Sequence, residues 1–225
     1  ILSLQGSVNV TEDKEFNRMM NGDLYHQTPE LLEMRMKARD LLFEYNRLNY
    51  RDMANRTRIL RALFGKVGKN CVIELPFNTD YGFNVKIGNN FFANNNLTLL
   101  DAGLIEIGDD VLIAGNVGIY TAGHALDPEL RLKTGAEYAI PVKIGNNVWI
   151  GAGVTVCPGV TIGDNSVIGA GAVVTKSLPS NSLAYGNPAH VVRQFDERDK
   201  QYYFKQRRVS QEYLDKLANH ETFHR

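Results

Sequence analysis

His124 ends the run Tyr120-Thr121-Ala122-Gly123-His124 and, of five histidines, is the one placed where a strict aliphatic repeat opens into a long loop. An imidazole titrates near neutrality, so it is suited to removing a proton from a hydroxyl as the oxygen attacks. By itself the residue leaves two readings open, a general base and a surface side chain. Glu137 lies on the same loop. It could orient the imidazole, hydrogen-bond a hydroxyl, or stand exposed. Asn94 carries an amide N–H suited to a developing oxyanion, although its neighbours Asn95 and Asn96 read as corner residues and Asn94 can be one too. A zinc centre on three histidines is not expected, because His26, His190, His220 and His224 all fall outside the repeat. No metal is expected. Cys71 and Cys157 are too few and too distant for a disulfide framework, which makes a reducing cytoplasm the default compartment. Cys157, beside Val156, reads as a packing residue rather than a nucleophile.

The elements that must hold these residues come from one periodicity. Ile144, Ile150, Val156, Ile162, Ile168 and Val174 recur at every sixth position. Neither a helix nor an ordinary strand has that period. A short fixed repeat marks a solenoid in which each turn buries its apolar residue against its neighbours. Three units make one triangular coil, with the aliphatic residue inside and a small residue after it to let the chain turn. Gly145-Asn146-Asn147 and Gly163-Asp164-Asn165 supply corner residues that tolerate left-handed backbone. Earlier coils keep the register through Ile87, Ala93, Leu99 and Ile105, slip by two, and resume at Ile107, Ile113 and Ile119. Between Ile119 and Ile144 a loop, 122–141, is inserted, and such an interruption is where function is expected.

Three parts follow. Residues 11–65 are expected to be helical: Thr28 and Pro29 form a helix start, with Leu31, Ala38, Leu41, Tyr45 and Leu48 on one face. A second helix carries Met53, Ile59, Leu60, Leu63 and Phe64 and stops at Gly65. Residues 66–186 are the solenoid, and 187–225 an extension ending in a short helix from Ser210 to about Ala218. Across 225 residues, 25 Lys and Arg balance 25 Asp and Glu. Neutrality argues against nucleic acid or a membrane surface held by bulk charge. No apolar run approaches a membrane span, and residues 1–10 lack the basic start and long apolar core of a signal peptide. The basic, aromatic stretch 198–208 reads as a solvated face or subunit contact.

Besides Tyr120 to His124, longer motifs are present: Glu129-Leu130-Arg131, Gly135-Ala136-Glu137-Tyr138, Pro141-Val142-Lys143-Ile144-Gly145-Asn146-Asn147-Val148-Trp149-Ile150-Gly151, Gly186-Asn187-Pro188-Ala189 and Asp199-Lys200-Gln201-Tyr202-Tyr203-Phe204-Lys205. Through them the chain resembles the hexapeptide-repeat sugar O-acetyltransferases, the galactoside and maltose enzymes, from about residue 16 to 205. The resemblance implies a mainly β protein, a left-handed parallel β-helix with N-terminal helices and a short C-terminal helical extension. The handedness rests on the resemblance, since parallel crossovers are generally right-handed. It also implies a homotrimer with sites between subunits, and acetyl-CoA as co-substrate. The acetyl group would pass directly, in a ternary complex, to a hydroxyl of a galactoside, maltose or glucose-like sugar.

The resemblance makes His124 the general base and puts Asn94 near the thioester. Ala152 and Ala170 would expose backbone groups to the pantetheine arm, Thr175 and Lys176 would lie near its far end, and Arg193 would contact phosphates, with His190 standing where relatives carry arginine. Asp80, Phe92 and Glu137 would bind the acceptor. Two departures concern that pocket: no acid follows Leu24-Tyr25, and Ala102 stands where the galactoside branch has aspartate. An acceptor that is an antibiotic or another non-sugar hydroxyl therefore stays open.

Overall fold

A computed structural model describes residues 13–219; the readings of residues 1–10, His220 and His224 lie outside them. The repeat closes into about six parallel coils, whose strands stack into three sheets. In the first sheet Val67 pairs with Ile87 and Ile87 with Ile107, a step of 20 residues; Ile144 pairs with Ile162, a step of 18. The other two sheets take the same steps, through Ile73, Ala93 and Ile113 in the second and Phe77, Leu97 and Leu99 to Ile119 in the third. The aliphatic residues point inward: Ile87, Leu99, Ile113, Ile119, Ile144, Val156, Ile162 and Val174 are at most 1% exposed. Each such side chain contributes about 1.5–3 kcal/mol by leaving water. That column is the core.

The slip of two has a location. From the second sheet to the third, and from the first to the second, the step between inward residues is six in every coil. The two extra residues of the early coils fall at the remaining corner, where the third sheet hands the chain back to the first: 80–84 in the first coil and 101–104 in the second. In the third coil that same corner holds the long insertion.

Corners are built from side-chain ladders. Asn70, Asn90, Asp110, Asn147, Asn165 and Asn181 all take φ between 51 and 60°. Their amides run head to tail along the edge, Asn70 to Asn90 at 3.0 Å, Asn90 to Asp110 at 2.9 Å, Asn147 to Asn165 at 3.0 Å and Asn165 to Asn181 at 3.1 Å. Asparagine tolerates this backbone, and the ladder satisfies its polar atoms in register.

The helix Lys14–Asn21 (α1) packs against residues Glu137–Ala139 of the insertion, and Pro29–Asn46 (α2) and Met53–Leu63 (α3) close the N-terminal end. Thr28 caps α2 through Leu31 N–H, as its sequence implies. Leu31, Ala38 and Tyr45 of the expected α2 face are buried, Leu41 and Leu48 are partly buried against the core, and Leu42 joins the buried set. The first coil has no coil before it, so its carbonyls need other partners. Tyr45 Oη and Arg56 Nη2 donate to Ile73 O at 2.7 and 2.5 Å, Tyr50 Oη to Leu75 O at 3.1 Å, and Asn46 Nδ2 to Phe77 O at 2.8 Å. At the other end Ser182–Gly186 is covered by the antiparallel strand Ala189–Gln194. Among the described residues no helix is long and apolar enough to cross a membrane.

Candidate active site

The insertion is an ordered arm. Ala122–His124 and Glu137–Ala139 pair as an antiparallel hairpin, with helix Pro128–Thr134 (α4) at its tip between an Asp127 cap and Gly135 in the left-handed region. His124 and Glu137 are directly opposite across the hairpin, so their side chains share one face. His124 is exposed, with Nδ1 at 3.3 Å from Ala136 O. Leu126 and Leu132 on the arm are 95% and 85% exposed.

Glu137 is also tied to the N-terminal segment. Tyr25 and Glu137 exchange backbone hydrogen bonds at 2.9 and 3.0 Å, and Tyr25 Oη donates to Glu137 Oε2 at 3.0 Å. Burial first, then the Glu137 carboxylate, push the Tyr25 phenol well above its ordinary pKa. It therefore stays a donor at all physiological pH. Arg35, on α2, donates to Asp80 Oδ1 from Nε at 3.1 Å and from Nη2 at 2.9 Å. Burial opposes the Arg35 charge, but Asp80 outweighs it and holds the guanidinium more firmly protonated. Tyr81 is pushed up to about 12, chiefly by burial, with Arg35 opposing. Beneath this group Asp101 is fully buried. Asp80, Tyr81, Asp101 and Glu137 belong to the one corner that carries extra residues, and Tyr25 and Arg35 reach them from the N-terminal segment.

The structure thus sets His124 opposite Glu137 and, through Arg35, brings Glu137 near Asp80. It puts Asn94 elsewhere, at the corner between second and third sheets. There Asn94 N–H bonds Ile113 O, Ala114 N–H bonds Ile150 O and Gly151 N–H bonds Ile168 O, each at 2.8–2.9 Å, so the small residues of successive coils stack along one edge. Ala152 and Ala170 lie exposed one residue further on, joined through Gly171 N–H to Ala152 O at 2.8 Å. Gly153 and Gly171 have φ of 69 and 73° and open space where a side chain would stand. The strand between the two edges, Leu97–Leu100, spans roughly 10 Å at about 3.3 Å per residue. One chain therefore does not bring His124 and Asn94 to the same reacting atom. Phe92 faces outward from the second sheet, apart from Asp80.

Of the residues expected to hold the coenzyme, Thr175 and Lys176 are exposed after the third-sheet strand Val173–Val174. Arg193 is engaged: Nη1 donates to Asp199 Oδ2 at 2.7 Å and Nη2 to Oδ1 at 2.5 Å, which holds the Asp199 carboxyl down at about 2. His190 is exposed beside Tyr185. Tyr25, Arg35, Tyr81 and Asp101 were missed by sequence reasoning. The two-residue slip gave no residue its place at this corner, and Tyr25, from the segment between α1 and α2, and Arg35, from α2, carry no periodic signal. Among the described residues no cluster of three or more His, Cys, Asp or Glu stands ready for a metal ion.

A solenoid of six-residue units, broken by one histidine-bearing arm, defines the class of hexapeptide-repeat transferases. Residues 18–68 match the maltose acetyltransferase hexapeptide capping motif, and residues 141–176 the bacterial transferase hexapeptide with six repeats. The galactoside O-acetyltransferase of Escherichia coli is 46% identical over 193 residues, covering 85% of this chain and 95% of that protein. A solved galactoside acetyltransferase in complex with coenzyme A superposes with a TM-score of 0.85 at 44% identity, over 88% of this chain and all of the other. A maltose O-acetyltransferase from Clostridium difficile superposes at 0.80 with 47% identity, over 82% of this chain and 99% of the other. The chain belongs to the galactoside and maltose O-acetyltransferase family of hexapeptide-repeat acyltransferases.

Proposed function

We propose that this protein transfers an acetyl group from acetyl-CoA to a hydroxyl of a sugar, directly and in a ternary complex, with His124 as general base. One observation carries the reading: the arm sets His124 and Glu137 on one face, beside the Tyr25, Arg35 and Asp80 cluster. A protonated hydroxyl is a poor nucleophile toward a thioester. An acceptor held by Asp80, Arg35 and Glu137 presents its hydroxyl to the exposed imidazole, which takes the proton as oxygen attacks the carbonyl carbon. The tetrahedral oxyanion then needs a donor, and Asn94 is suited to that role. Collapse expels the coenzyme thiolate, which leaves with the proton returned from His124.

The same reading makes the enzyme a homotrimer. Asn94, Ala152 and Ala170 occupy one edge of the prism and His124 another, so a coenzyme lying along the first edge meets the base of a second copy. The outer faces support this. The first sheet turns Lys66, Lys86, Glu106, Lys143 and Thr161 outward, whereas the second turns out Val72, Phe92, Leu112, Trp149, Val167 and Leu183. Trp149 is 53% exposed in the single chain, and an apolar stripe of that length marks an association surface. Three copies closing about one axis cover it.

Thiol release from acetyl-CoA, followed over galactosides, glucose, maltose, chitin fragments and hydroxylated antibiotics, tests the substrate class. Turnover on a sugar with intersecting initial-rate lines is expected. Turnover on antibiotics alone favours the non-sugar alternative, and parallel lines point to a covalent intermediate. Light scattering should give the mass of three chains. Co-refolding an inactive His124 variant with an inactive Asn94 variant should restore part of the activity, and mixed trimers without activity would contradict shared sites.

A further inference from the structure

Asp101 is the one described residue with a buried side-chain oxygen that has no partner. Its other oxygen is heavily used. Oδ1 accepts from Thr79 Oγ1 at 2.8 Å, from Asp80 N–H at 2.9 Å and from Tyr81 N–H at 2.9 Å. From below, Asn84 Nδ2 donates to the carbonyls of Asp101 and Ala102 at 3.0 and 2.9 Å. The residue therefore does not act as an ordinary link of the solenoid. It gathers three donors from the preceding coil onto one atom, and those donors belong to the segment that carries Asp80 and Tyr81.

We propose that Asp101 is the positioning residue of the acceptor pocket, setting Asp80 and Tyr81 by holding the 79–81 backbone through a single oxygen. This deepens the reading of the site as a sugar pocket and rests on it for the substrate. The physical case is one of geometry. Asp80 reaches Arg35 only if its backbone faces α2, and the Asp80 N–H donates to Asp101 Oδ1 two residues before Gly82, whose φ of 74° turns the chain away. Two backbone N–H groups of one turn aimed at one oxygen make a small anion nest, which fixes both peptide planes together. Tyr81 is then held against Phe83 and beneath Arg35. The charged and titratable groups facing this carboxyl are Asp80 and Tyr81, with Arg35 and Arg39 of α2 one step beyond Asp80.

Burial raises the Asp101 carboxyl to about 6, against the three hydrogen bonds and with Asp80 adding to the rise. A folded-state value above the unfolded one means that the folded protein keeps a proton the unfolded chain releases between about pH 4 and 6. Stability from this group is thus present below pH 4 and is lost as pH rises to 6. Orphan Oδ2 agrees with that sign, since no donor compensates its charge.

The test compares Asp101→Asn with Asp101→Leu in the full chain. Asparagine keeps the Oδ1 acceptor and leucine keeps only the volume. Hydrogen exchange should show the amides of Asp80 and Tyr81 protected in Asp101→Asn. In Asp101→Leu they should exchange at least about tenfold faster, while Lys143 in the first sheet is unchanged. With a sugar that the parent acetylates, Asp101→Leu should raise the acceptor KM roughly tenfold and leave the acetyl-CoA KM within about twofold. Asp101→Asn should stay within about threefold of the parent and lose the fall in melting temperature between pH 4 and 6. If Asp101→Leu does not fold, Thr79→Val removes one of the three donors and should raise the acceptor KM roughly threefold. Equal effects of the two Asp101 variants, unchanged exchange in Asp101→Leu, or equal shifts in both KM values would overturn the inference. Should the parent acetylate no sugar, the substrate reading falls while the exchange measurement still decides the role of Asp101.

Discussion

The corner joining the third sheet to the first is two different structures in one molecule. In the first three coils it carries extra residues, and those residues supply the polar groups of the candidate site: Asp80 and Tyr81, then Asp101, then the arm with His124 and Glu137. In the later coils the same corner is tight, passing through Pro158 and Gly159 or through Lys176 and Ser177. There the inward step from Val156 to Ile162 is six, as at every other corner. Both regions use one construction, an aliphatic column with ladders at its edges. They differ in whether the chain spends residues outside the period. A strict period maximises burial per residue but leaves no side chain free to converge. Each departure from it costs regularity and frees polar groups, and stacking three departures on one edge places those groups within reach of one another.

The largest effect that would break this contrast concerns the arm. His124→Ala should lower turnover by roughly a hundred- to ten-thousandfold, the span of general-base catalysis. Its side chain is exposed, so the melting temperature should not move; near-normal turnover would remove the early corner's claim to the chemistry. The opposite pattern is expected in the tight coils. Ile162→Ala empties a fully buried site and should destabilise by about 2–5 kcal/mol in urea unfolding, with kcat of the folded fraction unchanged. A parallel fall in kcat would show that the late coils are not mere scaffold.

Smaller effects sharpen the comparison. Asn165 takes a φ of 57° and links two rungs of its ladder. Asn165→Ala should cost about 1–2 kcal/mol, and Asn165→Gly should recover part of it, because glycine accepts the left-handed backbone. Equal losses would assign the cost to the amide ladder alone. Least of all, Lys176→Ala should raise the acetyl-CoA KM by roughly threefold, and Arg193→Ala by less, since Asp199 already occupies the Arg193 guanidinium. A larger effect at Arg193 would mean that its pair with Asp199 opens for the coenzyme.

Much of this was legible in the residues. The six-residue period predicted the inward column, Asn147 and Asn165 announced their corners, and the break after Ile119 marked the arm. The slip between Ile105 and Ile107 was visible as a number without a place. Arg35 and Tyr25 gave no such sign. Arg35 sits on a helix among other charged residues, and Tyr25 in a short polar segment, so their chemistry depends on which coil corner they meet. Arg193 shows the reverse case: its motif suggested a free cation, and its bidentate pair with Asp199 appears only once the chain folds back after Phe195.

What the sequence determined by itself is whatever depends on near neighbours along the chain. An aliphatic residue every six positions, small residues after it, and asparagine or glycine where the backbone must turn left-handed together specify a coil, because each requirement is met within one or two turns. What only the tertiary structure decided is which edge the departures share. Residues 80, 101 and 124 are separated by about one coil each, and their spacing does not reveal that they stack until the coils close. Asn94 and His124 show it most plainly: both stood out in the sequence as polar candidates, and only the closed prism puts them on different edges.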